Sequence, residues 1–127
     1  MTVIENKRRG GSVQIVCEDD IFLVRPRGYI GRRLLTEGLR DATAFGLEHP
    51  SGWWHVTDTT GVRFVNPLNP VSLRKIQRLP NVRGYVVIAP SRLVRFGMRL
   101  MHWLLRQDAV LRTERDARDW ISRNQPA

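Results

Sequence analysis

The segment Arg92 to Arg106, RLVRFGMRLMHWLLR, sets its positive side chains at Arg92, Arg95, Arg99, His102 and Arg106, in steps of three and four. At 3.6 residues per turn they fall within an arc of roughly 80°. Every other position is apolar or glycine, and together these sweep roughly 220°. An ordinary surface helix rests on its core with about 100° of apolar stripe. A fold that holds this helix must wedge it between a sheet and other elements, or leave part of its face to a second subunit, a lipid or an apolar ligand. Packing within the fold is preferred. It places the centre of the arc, Leu93, Gly97, Leu100, Met101 and Leu104, against a sheet. Phe96 and Trp103 on one flank, and Met98 and Leu105 on the other, are then the candidate partner or dimer surface.

The rest of the chain alternates strand and helix signals. Val13 to Cys17 and Ile21 to Arg25 flank Glu18-Asp19-Asp20 and read as a hairpin. Arg27 to Leu47 carries Ile30, Leu34, Leu35, Leu39, Ala42 and Phe45 near helical spacing and ends before His49-Pro50-Ser51-Gly52. Trp53 to Thr57 is a third strand. A loop runs from there to Asn69-Pro70, an N-cap and first helical position for a short helix with Leu73, Ile76 and Leu79 inward. Tyr85 to Ala89 is apolar throughout, as in a parallel strand covered on both faces. After the Arg-striped helix come a strand, Ala109 to Arg112, and a capping-box-like start at Thr113 and Asp116 for a helix burying Ala117, Trp120 and Ile121. The expected order is ββαβαβαβα: an α/β layered fold with a mixed sheet of about five strands and about four helices. Residues 1–11 are expected to be a flexible basic N-terminus, and 12–127 a single domain.

A length of 127 residues with 42% hydrophobic content suits one packed domain. The single cysteine, Cys17, excludes an internal disulfide and a cysteine metal cage. No apolar run at the N-terminus resembles a signal peptide, and a helix charged at every turn does not span a bilayer, so a cytoplasmic protein is expected. The formal net charge is +9, from 21 basic and 12 acidic side chains. Arginines scattered from Arg8 to Arg123, without a recognition module, make nucleic acid an unlikely partner.

The order of elements resembles that of STAS domains, the fold of anti-sigma-factor antagonists. The ending from Val110 to Ile121 is similar to the strand-then-helix close of the SpoIIAA-like branch. Asp58-Thr59-Thr60-Gly61, a hydrophobic run and Asn66-Pro67-Leu68-Asn69 resemble the antagonists' switch loop, whose last motif is Asp-Ser-Ser-Gly. In that family the first Ser accepts phosphate from a partner kinase, and its removal frees the domain to bind its target. Pro67 stands in that place here and has no hydroxyl, so the resemblance implies the scaffold without the phospho-switch.

No catalytic constellation is read from the residues. His49, His55 and His102 lack metal-ligand spacing. Cys17, His55 and Asp58 form a nucleophile, base and orienter only on paper, and a lone strand cysteine is usually a small buried hydrophobe. Gly28-Tyr29-Ile30-Gly31 lacks the third glycine and the Lys-Ser/Thr pair of phosphate loops and reads as a plain turn. The expected function is a non-enzymatic STAS-like interaction module, without cofactor or metal, that binds a protein partner or an apolar ligand and pairs as a homodimer. The alternative is a peripheral membrane or lipid-binding protein that sets its Arg stripe on anionic head groups.

Overall fold

The computed structural model describes residues 1–65, 75–100 and 107–126. Its strands are β1 Thr2–Arg8, β2 Gly11–Glu18, β3 Ile21–Ile30, β4 Trp53–Asp58, β5 Gly61–Val65, β6 Val82–Ile88 and β7 Ala109–Leu111. The helices are α1 Arg32–Glu48, α2 Arg92–Leu100 and α3 Glu114–Arg123, with a helical turn at 75–77. All seven strands form one mixed sheet, in the order β1-β2-β3-β4-β6-β7, with β5 also paired to β3. That is two strands more than the pattern of the sequence suggests.

One of the two is β1. Residues 2–8, expected to be a flexible arm, pair antiparallel with β2 from Thr2↔Cys17 to Arg8↔Gly11. Alternation puts Thr2, Ile4, Asn6 and Arg8 on one face. There Asn6 Nδ2 donates to Asp41 Oδ2 at 3.0 Å, Arg8 pairs with Glu37, and Ile4 packs on the core beneath α1. The basic residues that made this segment look like a tail are thus the rim of an edge strand.

The other is β5, which lies where a loop was expected. β3 pairs with β4 only through Ile21–Val24, and β5 takes over from Arg27 to Ile30. Pro26 sits in the break between them, so its missing N–H costs no ladder bond on that side. Beyond it Gly28 has φ +71°, and a Cβ there would lie 2.5 Å from the Gly10 carbonyl oxygen. The first helix therefore begins at Arg32, five residues later than its apolar spacing suggests, and Gly28 to Gly31 is strand end and helix entry.

The strands β3, β4, β6 and β7 run parallel. Right-handed crossovers between neighbours in this order lay the β3–β4 and β6–β7 connections on one face, and α3 returns after β7 to the other. Two cores follow. Beneath α1 lie Val13, Ile15, Phe22, Ile30, Leu34, Ala42, Phe45, Trp53 and Tyr85; beneath α3 lie Val16, Leu23, Trp54, Val56, Val86, Ile88, Ala117 and Ile121. The adjacent tryptophans of β4 serve one core each. Trp53 is fully buried against Phe45 and donates Nε1–H to the Pro80 carbonyl at 2.6 Å. Trp54 meets Trp120 edge-on at 5.5 Å. Trp120 itself is only partly buried, because its ring lies over Trp54 at the edge of this core; Ala117 and Ile121 face inward as expected. Thr113 Oγ1 caps α3 by accepting from the Asp116 N–H at 3.1 Å.

Candidate functional site

In open α/β sheets the carboxyl ends of parallel strands are where loops and helix starts converge. Here that end gathers the loop after β4, the β6–α2 junction and the β7–α3 junction. Asp58 closes β4, and its Oδ1 accepts from the Thr60 N–H at 3.0 Å and from the Thr60 hydroxyl. Thr59 donates both its N–H, at 2.9 Å, and its hydroxyl, at 2.8 Å, to the Ile88 carbonyl. The next residue of the junction, Ala89, donates its N–H to Leu111 at 2.7 Å. The ends of β4, β6 and β7 are thereby laced together through Ile88 and Ala89.

From this junction α2 begins, with Ser91 Oγ accepting from the Val94 N–H at 3.4 Å. Arg95 turns back and donates from Nη1 to the carbonyls of Ala89, at 2.9 Å, and Pro90, at 2.7 Å. Desolvation, then the charges of Arg112, Arg92 and Arg99, push its guanidinium below the ordinary arginine value. Four arginines therefore share one electrostatic neighbourhood. Sequence reasoning found three of them and missed Arg112, whose place shows only once β7 is known to end beside α2. Gln107 was missed as well: it is buried just before β7 and donates from Nε2 to the Met98 carbonyl at 2.9 Å.

The rotation of α2 differs from expectation. Leu93, assigned to the sheet side, is 80% exposed, and Phe96 is 61% exposed. The half-buried side chains are instead those of Arg95 and Met98. The carbonyls of residues 89 and 90 hold Arg95 inward and Gln107 holds the Met98 turn, so the Leu93–Phe96 side is rolled out to solvent beside exposed Arg92 and Arg99. Met98, placed on an outer flank, is thus turned partly inward. His102, Trp103, Leu105 and Arg106 lie outside the described residues, as do Asn66 and Pro67 of the loop and Met101 and Leu104 of the arc.

The paper triad does not assemble. Cys17 is the cross-strand partner of Phe22, which is in turn the partner of His55, so thiol and imidazole stand two strands apart, roughly 10 Å. Alternation along β4 puts Asp58 on the face opposite His55. Burial, then Asp41 and Glu48, push the Cys17 thiol up, away from the reactive thiolate. His55 is nested among Phe22, Trp53 and Tyr85, with ring centroids 5.5–5.9 Å apart, and burial pushes its pKa down to about 4 against a backbone hydrogen bond. His49 closes α1, its Nδ1 lying 2.8 Å from the Phe45 carbonyl oxygen and its ring stacked on Phe45. Among the described residues no group of three or more His, Cys, Asp or Glu is placed to hold a metal ion, and no helix is long and apolar enough to cross a membrane. The space between α3 and the sheet amounts to about 10 Å³, room for one water molecule at most.

No family model and no curated protein matches the chain by sequence. Solved structures do match it in shape. An uncharacterised protein of the DUF3478 family with a SpoIIAA-like fold, from Shewanella loihica PV-4, aligns with a TM-score of 0.63 at 14% identity, over 87% of this chain and 93% of that one. An anti-sigma factor antagonist from Mycobacterium paratuberculosis aligns with a TM-score of 0.57 at 16% identity, over 88% and 94%. The anti-sigma factor antagonist SpoIIAA in its unphosphorylated form gives 0.58 at 12% identity, over 87% and 97%. With its mixed sheet, its crossover order and its closing strand and helix, the chain has the SpoIIAA-like fold of STAS domains.

Proposed function

We propose that the chain is a non-enzymatic regulatory module that docks another protein with the carboxyl end of its parallel strands, and does so without a phosphate switch. The observation that carries this reading is the state of the loop after β4. Thr59 is bonded inward to the Ile88 carbonyl, Thr60 is bonded at the surface to Asp58, and Pro67 occupies the acceptor position of the resembling motif. A hydroxyl that donates to a buried strand end is poorly placed to attack a phosphoryl group. The Thr59-Thr60 turn is instead tied to the end of β6, shortly before α2 begins. The antagonist structures of similar shape support a protein as partner.

The test is titration of the purified chain with anti-sigma factors from its own source organism, with and without ATP, followed by mass spectrometry. The expected result is a complex whose affinity ATP does not change and which Thr60→Glu weakens at least tenfold by placing a second negative charge beside Asp58. Phosphate in stoichiometric amount on Thr59 or Thr60, with release of the complex, refutes it.

A further inference from the structure

The outer side of α2 carries a chemistry that protein docking at the strand ends does not use. Between Arg92 and Leu100 there are three arginines and no acidic side chain. On a helical wheel Arg99 and Arg92 stand side by side, Phe96 follows about 40° on and Leu93 about 100° on, both on the solvent side. Leu93 is 80% exposed and Phe96 61%, and a Cβ at Gly97 would meet nothing within 4 Å, so this side is open to solvent. Apolar side chains at the outermost point of a helix, with guanidinium groups along one border, are the arrangement of helices that lie in the plane of a membrane surface. A stable protein interface needs about 800 Å² on each partner and well-packed complementary surfaces, which Leu93 and Phe96 alone do not supply.

We propose that α2 is an in-plane anchor for an anionic phospholipid surface. Phe96 and Leu93 enter the boundary between head groups and acyl chains, and Arg92 and Arg99 lie on lipid phosphate and carboxylate groups. The proposal goes beyond the protein-binding reading and does not depend on it. The full chain would be sedimented with vesicles of phosphatidylcholine alone and of phosphatidylcholine with about a third phosphatidylserine. Binding is expected with the anionic vesicles only, and it should weaken as salt is raised. Each guanidinium near such a surface contributes roughly fivefold, so Arg92→Gln with Arg99→Gln should lower the partition coefficient about 25-fold. Leu93→Ser with Phe96→Ser should lower it at least about tenfold through lost apolar contact. Leu47→Ser, which removes an apolar side chain 67% exposed on α1, should leave binding unchanged. All five positions are exposed, so the thermal melts of the variants should match the wild type and certify the fold. Equal binding to both vesicle types, or none to either, overturns the proposal. So does a wild type that light scattering shows to be a dimer and Phe96→Ser makes monomeric, because the face then belongs to a second copy.

Discussion

His55 makes the stability of the domain depend on acid in a way that one substitution can isolate. Its ring lies among Phe22, Trp53 and Tyr85 on the α1 side of the sheet, and burial lowers its pKa from 6.5 to about 4. A histidine whose folded pKa is depressed favours the neutral form in the native state. Above pH 6.5 the ring is neutral folded and unfolded, and the group contributes its full share. Between 6.5 and about 4 the unfolded chain binds a proton that the folded chain does not, so stability falls as pH falls. The difference of about 2.5 pKa units sets the loss across this window at about 3 kcal/mol, a large fraction of a small domain's stability. Urea unfolding at pH 7, 5.5 and 4 would measure it in the wild type and in His55→Gln, which keeps a polar side chain but cannot titrate. Carboxylate ion pairs weaken equally in both proteins, so the gap between the two pH profiles belongs to His55. Should His55→Gln fold too poorly, His55→Phe fills the same aromatic nest and serves the same comparison. Parallel profiles for wild type and variant, or an imidazole resonance that titrates near 6.5, would refute the burial argument.

Two glycines of α1 should respond oppositely to one substitution: Gly38→Ala has open space and should stabilise by up to about 1 kcal/mol, as helix propensity dictates. Gly46→Ala would put its Cβ 2.5 Å from the Pro80 carbonyl oxygen and 2.9 Å from Trp53 Nε1, and should destabilise by about 1–3 kcal/mol in the same urea assay despite that propensity. On α3, Ile121→Ala empties a site 2% exposed and should cost about 2–5 kcal/mol, whereas Trp120→Ala removes a ring only partly covered by Trp54 and should cost less than the 3–5 kcal/mol typical of a buried tryptophan. Thr113→Ala should cost about 1 kcal/mol by leaving the Asp116 N–H without its cap, visible as a lowered melting temperature.

What could be seen in the sequence was whatever depends on neighbours along the chain. The hairpin around Asp19-Asp20, the apolar run Tyr85 to Ile88 and the Thr113 cap are set by patterns within a dozen residues; the hairpin and cap stand where the pattern puts them, while β6 starts three residues earlier, at Val82, and ends at Ile88. β1 and β5 depend on partners far away. The charges of Lys7, Arg8 and Arg9 outweigh the weak alternation of Thr2 to Arg8, and only the free edge of β2 makes a strand of it. Gly61 to Val65 becomes a strand because β3 outruns β4, and the mark of that break, Pro26, has meaning only once both neighbours of β3 are known.

The same distinction runs through the candidate site. The Arg stripe is a property of the helix alone and was visible in its spacing. Which side of a roughly 220° apolar arc meets the protein is not, because any stretch of about 100° within such an arc would seat the helix equally well. Here the choice falls to two polar groups, Arg95 on the carbonyls of Ala89 and Pro90 and Gln107 on the carbonyl of Met98. Hydrogen bonds at the two ends of α2, rather than hydrophobicity, set its rotation, and they set it so that Leu93 and Phe96 face outward. An apolar pair held outward by polar clamps is a surface the fold maintains. Arg95→Leu should therefore roll α2 inward, reduce the exposure of Phe96 and weaken vesicle binding more than the loss of one charge explains, whereas Arg95→Lys, which keeps a donor within reach of Ala89, should preserve most of it.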